Sequence, residues 1–280
     1  MREFDYYEPK SISEACSLLA ADGARAIAGG TDLVVQMKHG AKKPDVIVNL
    51  KGLEELKGIR CSDDGVVIGS LVKISDIAES QKIFDGWRAV SLGAESVGTP
   101  QVRNLGTIGG NLCNSSPCAD TVPGLLVSDA VAVITNGRDE REIRLADFFT
   151  GPGKNCLAKG EILKEVRLPK MPDLTKQAFF KMGPRKAADI AVINMAISIS
   201  REGSRYSRVR IAMGSVALTP IMAKDAELAM ENAGNGCDIN KIADLAASAA
   251  LPIDDVRGSA EYRRQMLKVA ARRLLRELCK

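Results

Sequence analysis

The sequence predicts a mixed fold of α-helices and β-strands arranged in two domains. Its 280 residues favour about two domains, which is enough chain to bury real cores. Segments with the alternation of strands and hairpins are interspersed with segments of helical spacing along the whole chain. Two prolines, Pro169 and Pro172, interrupt these patterns. We therefore expect one domain over residues 1–172 and a second over 173–280.

Composition excludes several classes of protein. The net charge of +4 comes from well-mixed charges and aromatic residues make up 4%, which argues against a nucleic-acid partner. No apolar run approaches the roughly 20 residues of a membrane span. The N-terminus lacks the apolar segment of a signal peptide, so we expect a cytoplasmic protein.

The cysteines do not form a metal-binding pattern. The chain has seven cysteines, no C-x-x-C pair and one histidine, so no metal site is expected. Cys113 and Cys118 invite an iron–sulfur interpretation, but such clusters usually take four thiolates. We interpret these two as small side chains in a tight loop.

The first domain is predicted to alternate short strands with short helices. Ser11 and Glu14 form a capping-box pattern, so a helix should begin there and end before Gly23. Ser75 is expected to cap a second short helix. Strands are predicted at 4–7, 25–28, 45–50, 59–61, 66–69, 130–134, 141–145 and 164–169, and helical segments at 33–38, 85–98 and 122–126.

The second domain is predicted to be a small sheet followed by helices. Strands are expected at 178–181, 192–200 and 209–214, a polar loop at 183–189, a turn at 201–204, and helices at 223–232 and 239–250. Ser259 should cap the last helix. Its apolar face is predicted from Tyr262, Met266, Val269, Leu274 and Leu278, and its solvated basic face includes Arg263.

A polar, glycine-rich stretch over residues 105–120 interrupts the first domain and predicts a loop held by packed flanks. Glycine lets a backbone lie against a flat or phosphorylated ligand, and Thr107 and Asn111 supply donors and acceptors. An ordinary multi-turn connection has the same composition, because such loops also need Gly, Asn and Ser.

A second glycine turn, Gly29-Gly30, follows a predicted strand and precedes a predicted helix. Thr31 or Asp32 can cap that helix, and the free N–H groups predict a site for a phosphate or pyrophosphate. The turn matches neither the G-x-G-x-x-G fingerprint nor a P-loop. Two such turns together favour one long nucleotide ligand.

Residues 28–33 and 103–112, with Ser116-Pro117 and Asp120 beyond them, resemble the FAD-binding medium subunit of the molybdenum hydroxylases. That family includes xanthine dehydrogenase and carbon monoxide dehydrogenase. Segments 210–217 and 258–263 are similar to its C-terminal domain. The resemblance implies an α+β fold. A two-subdomain FAD-binding domain of the p-cresol methylhydroxylase/vanillyl-alcohol oxidase type, with subdomains at roughly 1–55 and 56–172, precedes an α+β C-terminal flavoprotein domain.

The resemblance also implies a set of residues that bind FAD, and it implies no catalytic or metal-binding residue. The pyrophosphate would lie against Ala26, Ile27, Ala28, Gly29, Gly30, Thr31, Asp32 and Leu33. The second wall would come from Thr107, Ile108, Gly109, Gly110 and Asn111. Asp120, Leu163, Lys181 and Ile190 would complete the site, with Ile190 over the isoalloxazine. The alternatives are that Asp120 is a helix cap before Val122 and Lys181 a surface lysine after Phe180, and the shared motif context favours the ligand role for both.

The implied function is that of an FAD-dependent oxidoreductase subunit that transfers electrons. It would take them from [2Fe–2S] clusters of a small subunit and pass them through FAD to NAD+ or another acceptor. A molybdopterin-binding large subunit would select the substrate. Two alternatives stay open. One is a self-contained FAD-dependent reductase of the UDP-N-acetylenolpyruvoylglucosamine reductase type, and the other is a non-catalytic nucleotide-binding protein.

Overall fold

The chain begins with a parallel sheet flanked by two short helices. The computed structural model describes residues 2–185, 188–203 and 205–280. The Ser11 hydroxyl accepts from the Glu14 amide at 3.1 Å, as in a capping box. The Glu14 carboxylate accepts from the amide of Lys10, which is the residue before the N-cap, and not from the amide of Ser11. The sheet has the order β1-β3-β2. Its elements are β1 (Asp5–Tyr7), α1 (Ile12–Leu19), β2 (Ala24–Ile27), α2 (Leu33–Lys38) and β3 (Val46–Asn49).

The next sheet is antiparallel and has a late strand at its centre. The two predicted hairpins, β4–β5 and β6–β7, form as expected. Strand β10 lies between them because it pairs with β5 on one side and β6 on the other, which gives the order β4-β5-β10-β6-β7. The strands are β4 (Ile59–Ser62), β5 (Gly65–Gly69), β6 (Val131–Thr135), β7 (Glu140–Arg144) and β10 (Ile162–Pro169), with a small hairpin of β8 (Phe149–Gly151) and β9 (Lys154–Asn155) before β10.

Short helices pack on this sheet around a core that includes Ile68, Ile108, Leu125 and Ile134. The prediction that Ser75 caps a helix is wrong, because the helix begins at Ile74 after an N-cap at Lys73 and Ser75 lies within it. The predicted helix over 85–98 is divided at Trp87, whose indole N–H donates to the Pro169 carbonyl at 3.0 Å. The helices are α3 (Ile74–Glu79), α4 (Gln81–Gly86), α5 (Arg88–Glu95), α6 (Pro100–Leu105), α7 (Ile108–Asn114) and α8 (Thr121–Val127).

The prediction of a loop throughout 105–120 is wrong, because residues 108–114 form helix α7. Thr107 lies at its N-cap and its side-chain oxygen accepts from the Gly110 amide at 3.1 Å. Ile108 and Leu112 lie four residues apart and are both fully buried. The cap and this apolar pair outweigh the low helix propensity of Gly109 and Gly110.

The remaining chain forms an antiparallel sheet covered by three helices within the described residues. The predicted strands and helices are confirmed, and Ser259 caps the last helix as expected. Residues 186, 187 and 204, which fall in the predicted loop and turn, lie outside the described residues. The elements are β11 (Lys176–Met182), β12 (Ile193–Glu202), β13 (Arg205–Gly214), β14 (Ile221–Met222), α9 (Lys224–Ala233), α10 (Ile239–Ser248) and α11 (Ala260–Leu278).

The predicted faces of helix α11 are partly wrong. Arg263, assigned to the solvated face, is 1% exposed, whereas Tyr262, assigned to the apolar face, is 47% exposed. The Arg263 guanidinium donates to the carbonyls of Val192 and Ser215 and pairs with Asp255 at 2.6 Å. Burial of this cation is therefore compensated by hydrogen bonds and an opposite charge. Across the described part of the chain, no helix has both the length and the apolar composition to cross a membrane.

Candidate functional site

A cavity of about 660 Å³ opens between the first parallel unit and helix α7. That volume lies within the range of small-molecule and cofactor sites. Its walls come from segments of 19–36, 97–114 and 153–163. The predicted site residues that line it are Ala26, Ile27, Ala28, Gly29, Gly30, Thr31, Asp32, Leu33, Thr107, Gly109, Gly110, Asn111 and Leu163.

Four of the predicted site residues do not line this cavity. Ile108 is fully buried in the core, and Ile190 is 52% exposed on the segment before β12. Asp120 and Lys181 are buried against each other nearby. Their predicted contacts with a ligand stay predictions.

The turn after β2 presents unused donors to the cavity. The amide N–H groups of residues 29–33 donate to no acceptor within the described chain. Asp32 precedes α2 without forming a side-chain cap, so the expected cap by this residue does not form. Consecutive unpaired amides bind anions, so this turn has the donor set for a phosphate or pyrophosphate.

Gly29 joins the two walls of the cavity. A Cβ at this position would lie 2.0 Å from the carbonyl oxygen of Leu105, so no side chain fits between the turn and the end of α6. Gly30 follows with φ of +71°, which favours glycine. The sequence Gly-Gly therefore fixes both the close approach and the direction of the turn.

The second glycine pair has a different role from the first. The amides of Ile108 and Gly109 donate to the carbonyls of Val72 and Ser70 at 2.9 and 2.8 Å. These donors are used internally, so α7 contributes a rigid wall rather than an anion site. Across the cavity, the Gln36 amide donates to the Asn114 side-chain oxygen at 3.2 Å and connects α2 to α7.

A buried polar cluster lies behind the wall at Val97. The Lys181 ammonium contacts the Asp120 carboxylate at 2.6 Å and the Ser96 carbonyl at 2.8 Å. The Asn194 amide donates to the other Asp120 oxygen at 2.9 Å. Burial raises the pKa of Asp120, and the hydrogen bonds and charge of Lys181 and the bond from Asn194 oppose that rise.

Several lining residues were not predicted. Residues 19 and 21–25 reach the cavity from the connection between α1 and β2, and residues 157–162 reach it from the segment that leads into β10. The Asn155 side-chain amide donates to the Cys113 carbonyl at 3.0 Å. Glycines at 153 and 160 were the available signal in the sequence. Burial raises the pKa of the Cys113 thiol to about 12. Among the described residues, no group of three or more His, Cys, Asp or Glu side chains is placed to hold a metal ion.

The donor set fits a dinucleotide such as FAD. Unpaired amides at 29–33 suit the pyrophosphate, and the apolar side chains of Ile27, Leu71 and Val97 suit flat rings. Lys42 and Asp22 add charged groups at the cavity, where the lysine suits a phosphate group and the aspartate suits a hydroxyl group.

Comparisons with known proteins agree with this fit. The family model described as FAD binding domain in molybdopterin dehydrogenase matches residues 2–171, and CO dehydrogenase flavoprotein C-terminal domain matches residues 178–278. The chain is 37% identical over 236 residues to the nicotinate dehydrogenase FAD-subunit of Eubacterium barkeri, which covers 81% of this chain and 79% of that protein. It is 32% identical over 276 residues to the xanthine dehydrogenase FAD-binding subunit of Escherichia coli O157:H7, which covers 97% and 94%.

Solved structures agree as well. A chain of the reconstituted CO dehydrogenase from Oligotropha carboxidovorans superposes with a TM-score of 0.94 at 30% identity, which covers 99% of this chain and 98% of that one. The fold class and the family inferred from the glycine motifs are thereby confirmed. The chain therefore belongs to the family of FAD-binding flavoprotein subunits of the molybdopterin dehydrogenases, and it is a subunit of an FAD-dependent oxidoreductase.

Proposed function

We propose that this chain transfers electrons between an iron–sulfur partner and a soluble acceptor, through FAD held in the 660 Å³ cavity. The electron donor is a small subunit with [2Fe–2S] clusters, and a molybdopterin-binding large subunit oxidises the substrate. NAD+ is the proposed acceptor. The complex is proposed to work in the cytoplasm, with the domains of this chain at 1–172 and 173–280.

The observation that carries this proposal is the row of unpaired amides at 29–33 inside a cavity of cofactor size. These groups would bind the FAD pyrophosphate through hydrogen bonds to anionic oxygens, which are stronger than bonds between neutral groups. Helix α7 and Leu163 would hold the FAD from the opposite wall. The similarity to subunits of nicotinate, xanthine and carbon monoxide dehydrogenases supports a role in a dehydrogenase complex.

The buried cluster at Lys181 lies behind the end of the cavity marked by Val97, because the lysine contacts the carbonyl of the neighbouring Ser96. FAD, when bound, accepts electrons singly or as a hydride and passes them on. The Lys181 ammonium, held by Asp120 and the Ser96 carbonyl, would stabilise negative charge that develops near it. Asn194 restrains Asp120 and thereby keeps the lysine in place.

An anaerobic visible spectrum of the purified chain with FAD, recorded before and after NADH, tests the proposal. We expect a protein-bound flavin spectrum that bleaches on addition of NADH. Bound FAD that NADH leaves oxidised would contradict the NAD+ assignment and keep the flavoprotein assignment. A folded chain that binds no FAD would overturn the proposal and favour a non-catalytic nucleotide-binding protein.

The self-contained reductase predicts a different result. It would turn over NADH and its own organic substrate in the absence of any partner. We expect instead that the purified chain bleaches once per bound FAD and turns over only when an electron partner is added.

A further inference from the structure

Helix α2 forms one side of the cavity and is weakly packed. It follows the turn at Gly29-Gly30 and contributes Leu33 and Gln36 to the cavity lining. Met37 is 5% exposed, whereas the other five side chains of α2 are half-buried or exposed. Segments with little apolar burial open locally at a low cost in free energy. The helix is therefore a part of the cavity wall that can move while the rest of the fold stays in place.

Two glycines lie at the ends of this helix. Gly30 precedes it with φ of +71°, and Gly40 follows it with φ of +73°. A Cβ built at Gly40 would have Lys43 Cε as its nearest neighbour at 3.9 Å, so the backbone there has room to rotate. Residues at the ends of a moving element that absorb a change of φ and ψ act as hinges. Residues 31–39, here called the α2 flap, can therefore move as a unit.

The wall opposite the α2 flap is firmly held. Helix α7 buries Ile108 and Leu112 completely and ends at Asn114. Just beyond it, the Gly153 amide donates to the Ser115 carbonyl at 3.0 Å, which connects the end of α7 to the β8–β9 hairpin. Asn114 therefore presents its side chain to the cavity from a fixed position.

A hydrogen bond crosses the cavity from the α2 flap to this wall. The Gln36 side-chain amide donates to the Asn114 side-chain oxygen at 3.2 Å, and both residues are half-buried. The Lys159–Asp22 ion pair, at 2.6 Å, also joins two segments that line the cavity, but its side chains are 54% and 99% exposed. Water and salt weaken an exposed ion pair, so the partly shielded amide pair is the better candidate for a latch.

We propose that the α2 flap opens to admit FAD and closes over it, and that Gln36 and Asn114 form its latch. This inference rests on the proposed function, because it needs FAD in this cavity. A latch that forms both with and without FAD raises the barrier to opening in both states. It therefore slows entry and release together and leaves the affinity nearly unchanged, whereas a residue that contacts FAD changes the affinity.

The rates of FAD exchange in the purified full chain test the latch. Association is followed by stopped-flow flavin fluorescence after removal of FAD, and release by capture of free FAD on an excess of a second FAD-binding apoprotein. We expect Gln36→Leu and Asn114→Leu each to accelerate both rates by about three- to tenfold, as for loss of one hydrogen bond, while Kd changes by less than about twofold. The double variant Gln36→Leu/Asn114→Leu should be no faster than either single variant, because the two residues act through one bond.

Two variants control for changes unrelated to the latch. Gln36→Asn/Asn114→Gln exchanges the two side chains and keeps their combined length, so it should retain the rates of the unmodified chain. Gln81→Leu removes a bond from another glutamine amide, which donates to Asp85 on α4 at 2.7 Å, and should leave both rates unchanged. Hydrogen exchange identifies the part that moves, because in Gln36→Leu the amides of 34–40 should exchange faster and those of 108–114 should not.

The outcomes separate this inference from the proposed function. An unmodified chain that binds no FAD would overturn both. If FAD binds but neither rate changes in the latch variants, or if only release accelerates and the affinity falls, the latch alone is wrong. Faster hydrogen exchange in α7 rather than in 34–40 would also overturn it, because the wall and not the α2 flap would then move.

Discussion

Gly29 is the residue at which the turn after β2 contacts the end of α6. Gly29→Ala would place a Cβ 2.0 Å from the Leu105 oxygen, so turn and helix must separate. We expect a loss of about 1–3 kcal/mol in the free energy of unfolding, as for an overpacked site, and weaker FAD binding. Urea unfolding and fluorescence titration with FAD measure the two effects.

Gly52→Ala is the control for this prediction. No atom lies within 4 Å of the Cβ position at Gly52, so alanine fits without displacement. Unfolding and FAD binding should stay near those of the unmodified chain. A Gly29→Ala variant that matched this control would show that the contact between the turn and Leu105 does not shape the site.

Lys181 and Asp120 form a buried ion pair whose side chains are 14% and 8% exposed. Lys181→Met leaves the Asp120 carboxylate buried without a cation, which typically costs about 3–5 kcal/mol. The double variant Lys181→Met/Asp120→Asn removes both charges and should recover most of that loss. A double-mutant cycle by urea unfolding measures the coupling, and additive single effects would contradict it.

The pH dependence of Lys181→Met follows from the same pair. Burial already raises the pKa of Asp120, and loss of the lysine raises it further. With a pKa in the folded state above the unfolded value, ionisation of Asp120 opposes folding as pH rises through the folded pKa. The variant should therefore be least destabilised at pH values below the ordinary aspartate pKa of 3.8. Urea unfolding between acidic and neutral pH measures this trend.

Ion pairs and hydrogen bonds between distant segments could not be predicted from the local pattern of residues. Asp120 and Lys181 are 61 positions apart, and they meet because α8 packs against β12 and β13 while β11 pairs with β12. Arg263 was misplaced for a related reason, since its carbonyl partners at Val192 and Ser215 belong to distant segments. Residue types indicated a polar site, but tertiary structure decides which charges are paired.

Helix α7 depends on its cap because two of its residues are glycine. Thr107→Ala removes the acceptor for the Gly110 amide and should cost about 1–2 kcal/mol in the free energy of unfolding. FAD binding should also weaken, because α7 forms a wall of the cavity. Ser259→Ala removes the equivalent bond at α11, outside the cavity, and should reduce stability while FAD binding stays unchanged. Equal FAD affinity in both variants would contradict a role of α7 in the site.

Elements with strong local signals were predicted well. Helix α2 and the hairpins β4–β5 and β6–β7 follow from apolar periodicity and turn residues. Helix α7 was missed because its glycines suggest a loop, whereas its stability comes from Thr107 and from the burial of Ile108 and Leu112. Burial against a neighbouring element is not visible in a local pattern.

At the scale of the whole molecule, Asp129 links the FAD-binding portion to the C-terminal sheet. Arg208 donates to Asp129 at 2.7 Å and to the Val127 carbonyl at 2.7 Å, and Arg210 contacts the other Asp129 oxygen. Burial alone would raise the pKa of Asp129, but Arg208 and Arg210 hold it below its usual value. The two arginines therefore stabilise the contact between the two portions of the chain while Asp129 is ionised.

Asp129→Asn should lower the free energy of unfolding by about 1 kcal/mol at neutral pH, a small value because the carboxylate is partly exposed. Because the folded-state pKa lies below the unfolded value, this stabilisation exists above pH 3.8 and disappears as pH falls through the folded pKa. Urea unfolding from neutral to acidic pH should show the variant and the unmodified chain converging. Asp173→Asn, at an exposed residue before β11, is the control, and a constant difference at all pH values would contradict this origin.

The overall architecture was predictable only in part. The resemblance of residues 28–33 and 103–112 to a known family led to the correct family and fold class. The strand order β4-β5-β10-β6-β7 was not predicted, since no local pattern shows that β10 separates two hairpins. Residues 157–162 line the cavity because the central position of β10 places the segment that leads into it there. They were missed because that position was not predicted.

The central position of β10 has a consequence for synthesis on the ribosome. Its partners β5 and β6 are translated well before Ile162. The β4–β5 and β6–β7 hairpins therefore each have an unpaired strand edge until β10 has been synthesised. Such edges are templates for intermolecular pairing, and long-range sheet contacts form slowly. Nascent chains halted before residue 162 should therefore be the aggregation-prone species, and translation through β10 should be the step that closes the sheet and completes the cavity wall at Leu163.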